Sequence, residues 1–346
     1  MNAILLSAGL GTRFRPTTEK IAKPAIPFLN VPLLSYMIYY FEKMGLDNLV
    51  LNTHHLPKIV EAAARHVTHK QNYHLQFSFE SKILGSGGGI KNAEKLLRAK
   101  DDFLVANGDE IILFNHNRGF LPLLEFHKKN KALATLLTSN HPHAGKTLGG
   151  VWSDSNHQIT NLGEIDLARS GAQHFTGVFV FSPKIFSFMP DGKFHIFKDC
   201  LHKAMSSGEK VLSYHDDNLL WLDTSSENDY LQSTREALAV LDRSSVHAST
   251  LTQILKRFGQ NFVQTGNKQW LCPGAKFTGA LDPDSYLFMG PKSEVGPDVK
   301  ISGFAVIRDH VTFDHGLIEN SVIAQASSNA QTPNLIAGNY INKLVV

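Results

Sequence analysis

The first two-thirds of the chain alternates short apolar runs with segments of helical periodicity, and this rhythm restricts the possible folds most. Ala3–Ser7, Leu49–Asn52 and Phe103–Ala106 are apolar runs, as expected for buried strands. Between them, Pro32–Met44 and Pro57–Arg65 carry apolar residues at helical spacing. Strands that are separated by helices usually pair in parallel. We therefore predict an α/β domain with a mostly parallel mixed sheet and helices on both faces.

A six-residue repeat follows near the end of the chain. Val295, Ile301, Ile307 and Phe313 recur every six residues. A second apolar set recurs four positions after each of these: Val299, Ala305, Val311 and Leu317. This repeat is typical of a small parallel β-helix, whose triangular coil buries one apolar residue per side. An irregular β-meander is the alternative.

The length of 346 residues suggests two domains. We predict a Rossmann-like domain at residues 1–240, a helical or irregular linker at 241–265, and a small left-handed parallel β-helix at 266–346.

Composition excludes several classes of function. The net charge of +3 is too close to zero to indicate nucleic acid or a membrane surface as a partner. No segment reaches the roughly 18 apolar residues that a membrane span needs. The 17 histidines show no metal-ligand spacing. Cys200 and Cys272 do not form a disulfide framework, so we expect a reducing cytoplasm.

The loop after the first strand combines glycines with cations. It reads Gly9-Leu10-Gly11-Thr12-Arg13-Phe14-Arg15-Pro16-Thr17, and Lys23-Pro24 follows. Glycines let backbone N–H groups approach phosphate oxygens, and arginine and lysine add positive charge. The spacing excludes a dinucleotide fingerprint, which needs Gly or Ala in place of Phe14, and also a Walker loop. A tight turn with incidental basic residues is the alternative.

Two aspartates stand near apolar strands. Asp109 belongs to Asn107-Gly108-Asp109, directly after Phe103–Ala106, and Asp223 belongs to Trp221-Leu222-Asp223-Thr224. A carboxylate at the carboxyl end of a strand is well placed to bind a hard cation. The alternatives are an Asx-turn for Asp109 and a surface or helix-capping role for Asp223.

These motifs together resemble the sugar-phosphate nucleotidyltransferases, also called nucleoside-diphosphate-sugar pyrophosphorylases. The pattern Gly-x-Gly-Thr-Arg-x-x-Pro-x-Thr…Lys-Pro carries the resemblance, which covers residues 1 to about 235. It is closest to mannose-1-phosphate guanylyltransferase-like and N-acetylmuramate-1-phosphate uridylyltransferase-like members, which share an Asn-x-His-His-Leu segment with His54-His55 here. For this pair, ordinary polar residues that cap the preceding strand are the alternative. The resemblance implies Mg²⁺-dependent reaction of a nucleoside triphosphate, GTP or UTP favoured, with a sugar 1-phosphate.

The resemblance also implies roles for single residues. Arg13, Lys23, Asp109 and Asp223 would be catalytic, with the two aspartates as Mg²⁺ ligands. The nucleotide would contact Ala8, Gly9, Gly11, Thr12, Arg13, Ser86, Gly87, Gly88, Asn107 and Gly108. The sugar would contact Gly150, Glu164, Thr176 and Gly177. Ser86 to Gly88 lie in a Gly-rich stretch, Ile83–Ile90, that would contact the base as a loop; a flexible loop before a helix at Ile90–Arg98 is the alternative.

Two departures from the family pattern leave other functions open. Ser225 stands where the family usually has glycine after the second aspartate. Ile165 stands where many members have a lysine that contacts the sugar phosphate. A non-catalytic regulatory subunit with the same fold is therefore one alternative. An acyltransferase built on the hexapeptide repeat is another, although His310 and His315 are isolated.

The small size of the repeat indicates that it packs against something else. We predict a homodimer or larger homo-oligomer that forms partly through residues 280–346. The alternative is that the repeat only covers its own chain.

Overall fold

The computed structural model of the chain describes residues 1–69, 71–97, 101–324 and 334–346. Its contacts divide the chain into two compact units. The first unit comprises residues 1–10, 22–24 and 36–221, and the second comprises 11–21, 25–35 and 222–346. The division at 240 and 265 that we expect from the sequence stays a prediction. Among the described residues, no helix combines the length and apolar character that crossing a bilayer requires.

The elements alternate through most of the first 222 residues. They are β1 (Asn2–Leu6), β2 (Pro27–Phe28), β3 (Val31–Pro32), α1 (Leu34–Glu42), β4 (Asn48–Thr53), α2 (Pro57–Thr68), β5 (His74–Phe79), α3 (Gly85–Asn92), α4 (Glu94–Leu97), β6 (Phe103–Asn107), β7 (Ile111–Leu113), α5 (Leu121–Asn130), β8 (Ala134–Ser139), β9 (Gly150–Ser153), β10 (Ile159–Glu164), β11 (Gln173–Phe181), α6 (His202–Ser206), β12 (Val211–His215) and β13 (Leu220–Leu222). A π-helical turn, Ile196–Leu201, precedes α6.

The remainder has two helices and a strand-rich tail. Its elements are α7 (Glu227–Leu241), α8 (Val246–Arg257), β14 (Val263–Gly266), β15 (Gln269–Leu271), β16 (Lys276–Phe277), β17 (Ala280–Leu281), β18 (Tyr286–Met289), β19 (Glu294–Ile307), β20 (Val311–Ile323), β21 (Asn334–Ile341) and β22 (Leu344–Val345).

The first unit is built on a nine-stranded sheet with β1 near its centre. β1 pairs in parallel with β4 on one side and β6 on the other. Ala3, Ile4 and Leu5 of β1 are all fully buried, and since successive side chains point to opposite faces, both faces are covered. The strand order reverses at β1, because the chain runs outward to β4 and β5 and returns to β6 on the other side. Ligands of such sheets bind beyond the strand ends at this reversal.

The other half of the sheet is mostly antiparallel, apart from the parallel pair of β8 and β12. β11 pairs antiparallel with β6, β8 and β9. No helix lies between consecutive strands from β8 to β11. Parallel pairing of consecutive strands would require such a crossover helix. The predicted α/β class and mixed sheet are confirmed, with the parallel pairing concentrated around β1.

Local structure differs from expectation at the Gly-rich stretch. Gly85–Asn92 forms helix α3 rather than a loop, and the predicted helix Ile90–Arg98 begins earlier and is interrupted after Asn92 (Arg98 lies outside the described residues). The glycines allow a close approach between segments: a Cβ on Gly88 would lie 2.4 Å from the carbonyl oxygen of Gly192. Tertiary contact therefore overrides the low helix propensity of glycine.

The second unit contains a stack of parallel strands. Tyr286 pairs with Phe304, and Glu294 with Thr312, so neighbouring rungs lie 18 positions apart, or three hexads. The two apolar sets of the repeat form one buried cluster up to Phe313. α7 packs against β18 and β20, so a helix of the same unit covers part of the stack.

One member of the repeat was misassigned. Leu317 is partly exposed, and Ile318 is fully buried in its place. The reason is a register shift: Val295 pairs with Phe313, but Asp298 pairs with His315, which is one position short of the 18-residue spacing. The shift pairs Ile318 with the buried Ile301 and Leu317 with the exposed Lys300, so Ile318 rather than Leu317 faces inward.

Candidate active site

A cavity of about 250 Å³ lies beyond the carboxyl ends of β1 and β6, where the strand order reverses. We call it the β1–β6 cavity. Five residues predicted to bind nucleotide or metal line it: Ala8, Gly9, Ser86, Asn107 and Asp109. Its other lining residues include two that the sequence reasoning missed, Asn52 and Glu80.

An ion pair stands at the cavity. The Lys23 ammonium lies 2.6 Å from a carboxylate oxygen of Asp109, and both side chains are largely shielded from solvent, with exposed fractions of 12% and 29%. Lys23 is 86 positions away in sequence, so only the fold brings these two predicted residues together. A cation and a carboxylate in one partly desolvated place can bind phosphate oxygens and a hard cation, respectively.

Glu110 extends this polar group behind Asp109. Its carboxylate accepts hydrogen bonds from Asn107 Nδ2 at 2.8 Å and from Trp221 Nε1 at 2.7 Å. Burial, together with the neighbouring Asp109 carboxylate, raises the pKa of Glu110 to about 7. We did not identify Glu110 from the sequence, although an acid directly after Asn-Gly-Asp was a visible signal.

Asn52 and Glu80 form a buried bridge across the ends of β1, β4 and β5. Asn52 accepts from Ser7 N at 2.6 Å and donates to Glu80 at 2.7 Å. Glu80 in turn accepts from Leu84 N at 2.9 Å, just before α3. His54 Nδ1 lies 2.8 Å from the Glu80 carbonyl oxygen, which ties the His-His segment to the same strand ends. Through these hydrogen bonds the bridge holds Ser7, which precedes the Gly9–Thr17 loop, in a fixed position relative to Leu84 at the start of α3.

The predicted base-binding residues take different positions on α3. Ser86 lines the β1–β6 cavity. Gly87 and Gly88 instead pack closely against the segment that contains Gly192 and Phe194. The Phe194 carbonyl accepts from Gly87 N at 3.3 Å. These two glycines therefore position α3 rather than line the cavity.

In the second unit, the loop Gly11-Thr12-Arg13 is held by its neighbours. The Gly11 carbonyl accepts from Thr18 Oγ1 at 2.8 Å and from Phe14 N at 2.9 Å. Phe14 is fully buried and packs edge-on against Tyr230, with ring centroids 5.8 Å apart. Because Phe14 anchors the turn, Thr12 and Arg13 remain exposed to solvent and available to a ligand.

Asp223, also in the second unit, is half-buried in a turn before α7. Its Oδ1 accepts from Ser225 N at 2.7 Å, and its carbonyl oxygen accepts from Ser233 Oγ at 2.7 Å. Ser226, not Asp223, caps α7, with Asp229 completing a capping box. The helix-capping alternative for Asp223 is therefore wrong, and the backbone N–H of Ser225 orients one of its carboxylate oxygens.

A second cavity, of about 630 Å³, lies beside β9, β10 and the π-helical turn. We call it the β9–β10 cavity. Gly150 and Glu164, predicted to bind sugar, line it, and so do His174, His195, Lys198 and His202, which we did not identify from the sequence. It is large enough to enclose a small polar ligand.

The other two predicted sugar-binding residues lie within β11. Thr176 is fully buried, and its hydroxyl donates to the Leu137 carbonyl at 3.0 Å. Gly177 has a φ of +84° and lies where a Cβ would come within 2.5 Å of Glu110 Oε1. The expected turn Phe175-Thr176-Gly177 is thus an irregularity inside a nine-residue strand, where the register shifts between Phe175 and Phe179.

His174 makes stability depend on pH. Its side chain is buried against Trp221, and its ring nitrogens find no hydrogen-bond partner among the described residues. Burial, together with the nearby His141, lowers the pKa of His174 to about 4. The unfolded chain takes up a proton near pH 6.5 and the folded chain only near pH 4, so stability falls as the pH drops through this window.

We expect His174→Gln to reduce the loss of stability between pH 6.5 and pH 4 by up to about 3 kcal/mol. Urea unfolding at a series of pH values measures this slope. The exposed His143→Gln variant serves as the control and should keep the wild-type slope. Equal slopes for wild type and His174→Gln would show that the buried ring does not set this dependence.

No group of three or more histidine, cysteine or acidic side chains gathers as a metal cage in the described parts of the chain. Both cysteines are free and buried.

The chain is similar to known proteins in sequence and in fold. A model of the family described as Nucleotidyl transferase matches residues 2–239. A UTP–glucose-1-phosphate uridylyltransferase from Synechocystis is 29% identical over 69% of this chain, and the match spans 64% of that relative's length. A mannose-1-phosphate guanyltransferase from Aspergillus fumigatus is 27% identical over 95% of this chain and 87% of its own.

A solved structure shares the fold. It is a putative glucose-1-phosphate thymidylyltransferase from Bacillus anthracis, with a TM-score of 0.58, 18% identity, and coverage of 68% of this chain and 94% of that one. The coverage of 68% of this chain is consistent with a shared α/β sheet domain, which is followed here by additional C-terminal strands.

Proposed function

Because the chain belongs to the nucleotidyl transferase family, we propose that it transfers a nucleoside monophosphate from GTP or UTP to a sugar 1-phosphate and releases pyrophosphate. The family predicted from the Gly-rich loop and the aspartates is confirmed, and with it the enzyme class. The relatives named for mannose 1-phosphate and glucose 1-phosphate make these two sugar phosphates the first candidates. One observation carries the proposal: the Lys23–Asp109 pair beside the cavity where the strand order reverses.

The reaction needs positioning and charge neutralisation more than covalent chemistry. An oxygen of the sugar phosphate attacks the α-phosphorus in line, that P–O bond forms, and the bond to the leaving pyrophosphate breaks. Lys23 holds the α-phosphate region, since it is a cation fixed at the cavity by a short ion pair. Arg13, exposed on its loop, takes the pyrophosphate with its forked donors.

The carboxylates fit a hard divalent cation. Asp109 offers oxygen at the cavity, and Asp223 offers oxygen from a turn that Ser225 N orients. Asp109 and Asp223 would hold Mg²⁺ through these carboxylate oxygens. When bound, the cation would neutralise charge that develops on the phosphates.

The two cavities suggest that the two substrates bind in separate places. We assign the nucleotide to the β1–β6 cavity, with Ala8, Gly9, Ser86 and Asn107 in contact, and the sugar to the β9–β10 cavity, with Gly150 and Glu164 in contact. Thr176 and Gly177 would act indirectly, by shaping β11, the strand that lies between β9 and β6 in the sheet.

Product analysis tests the proposed function. The purified chain is incubated with Mg²⁺, each of the four common nucleoside triphosphates, and mannose 1-phosphate or glucose 1-phosphate. Pyrophosphate release and the nucleoside diphosphate sugar are then measured, with reactions lacking sugar phosphate as controls. We expect turnover with GTP or UTP. Absence of product from every pair would favour a non-catalytic subunit, and acetyl transfer from acetyl-CoA would instead favour an acyltransferase.

We also propose that the C-terminal stack is a left-handed β-helix that mediates homo-oligomer formation through residues 280–346. The support is its parallel pairing at 18-residue spacing and an exposed apolar side chain on β21, Ile341. Light scattering across a micromolar concentration range should give at least twice the monomer mass of 38.3 kDa. A monomer throughout this range would contradict the proposal. The stack would then be covered only by its own chain, through α7. A cytoplasmic location, expected from the free cysteines, stays a prediction.

A further inference from the structure

The β9–β10 cavity contains one permanent cation. Among its described lining residues, Lys198 is the only lysine or arginine and Glu164 the only carboxylate. A sugar 1-phosphate carries between one and two negative charges at neutral pH, as phosphate monoesters do. A binding cavity for it therefore needs a positive group besides polar contacts to the sugar hydroxyls. Ile165, which follows Glu164 directly, is apolar and 59% exposed, so it cannot provide that charge.

The backbone around Lys198 is an unusual turn. Lys198 lies in the π-helical turn Ile196–Leu201, and such turns occur frequently at functional sites. His195 opens the turn: its Nδ1 accepts from Phe197 N at 3.2 Å, and its own N–H donates to Asp199 at 2.7 Å. The carboxylate next to Lys198 in sequence is thus used by the backbone, and Lys198 forms no ion pair within the described ranges.

The turn is fixed to both cavities. His202 Nε2 lies 3.2 Å from the Leu162 carbonyl oxygen on β10, the strand that ends at Glu164. At the other end, Ile196 N donates to Ser86 Oγ at 3.2 Å, and Ser86 lines the β1–β6 cavity. The turn therefore connects a residue that lines the β1–β6 cavity with residues that line the β9–β10 cavity. The phosphate of the sugar has to lie toward the nucleotide, because it joins the sugar to the nucleotide in the product.

We infer that Lys198, held by this turn and accompanied by His202, binds the phosphate of the sugar 1-phosphate. The inference rests on the proposed function for the identity of the ligand. Lys198 takes the role of a positioning and affinity residue for this one substrate, while Lys23 serves the nucleotide side.

Steady-state kinetics of Lys198→Met and Lys198→Arg test the inference with the sugar phosphate that the wild type uses. We expect Lys198→Met to raise KM for the sugar phosphate about 10- to 100-fold, the effect of losing one charge-assisted hydrogen bond, with KM for the triphosphate unchanged. Lys198→Arg keeps the charge and should recover most of the affinity. Lys203→Met, an exposed lysine on α6 outside the cavity lining, is the matched control and should behave as wild type.

Calorimetry provides a readout that does not depend on turnover. Mannose 1-phosphate and glucose 1-phosphate are titrated into wild type and Lys198→Met, with free mannose and glucose as probes without the phosphate. Weaker binding of the phosphates alone by Lys198→Met supports the inference. Equal binding by both proteins, no binding by wild type, or an equal loss in Lys203→Met overturns it. Binding that depends on Lys198 in a wild type without turnover would contradict the proposed reaction but not the phosphate site.

Discussion

Replacing Asp109 with alanine is expected to reduce turnover at least about 100- to 1,000-fold, the range seen when a group that stabilises transition-state charge is lost. Asp109 lies at the β1–β6 cavity, where its carboxylate pairs with Lys23. The variant removes both the proposed metal ligand and the partner that fixes Lys23. Since Asp109 is partly exposed, the fold should survive the substitution. Pyrophosphate release measures the first effect, and circular dichroism with thermal unfolding checks the second.

Asp223→Ala should produce a loss of similar size, although Asp223 lies in the other compact unit. Asp242→Ala is the control, because Asp242 is exposed at the end of α7 and outside the proposed site. A titration of Mg²⁺ adds a specific signature: a variant that has lost a ligand should need a higher metal concentration for its residual activity. Wild-type rates in either aspartate variant would remove that residue from the proposed site.

Gly177→Ala is expected to both destabilise the protein and disable the reaction. Gly177 has a φ of +84°, a conformation that costs an L-residue about 1–2 kcal/mol. The added Cβ would also lie 2.5 Å from Glu110 Oε1 and 2.8 Å from Asn107 Nδ2. Displacing these two side chains costs a further amount of about 1–3 kcal/mol and disturbs the polar group behind Asp109.

The chain offers a matched control for this substitution. Gly171 also has a positive φ, +76°, but nothing lies within 4 Å of the position of its Cβ. Gly171→Ala should therefore show the backbone cost alone and retain turnover. Urea unfolding and pyrophosphate release on both variants separate the two contributions. Similar losses of stability and activity in Gly171→Ala and Gly177→Ala would mean that contact with Glu110 is unimportant.

Several residues that line the β1–β6 cavity could be named as candidates from the sequence because the motifs that contain them are local. A Gly-rich loop directly after an apolar strand indicates close backbone approach to a ligand, and Asn107-Gly108-Asp109 indicates a carboxylate at a strand end. Both are placed by elements a few residues away. The β1–β6 cavity accordingly contains several of the predicted residues.

The β9–β10 cavity was less predictable for the opposite reason. Glu164, Lys198 and His202 come from β10, a π-helical turn and α6, and no short motif connects them. The Gly-rich stretch was misjudged for a similar reason: propensity disfavours a helix there, whereas packing against Gly192 and Phe194 favours one. Which of Leu317 and Ile318 points inward depended on a pairing shift that periodicity alone does not reveal.

The sequence by itself determined the fold class, the family and the hexad repeat, since each depends on periodicity or on a short motif. Only the tertiary structure decided that Lys23 pairs with Asp109, that Asn52 and Glu80 bridge three strands, and that Lys198 faces the same cavity as Glu164. These relations join positions far apart in the chain, and their geometry comes from sheet order and from close packing of neighbouring elements rather than from local preference.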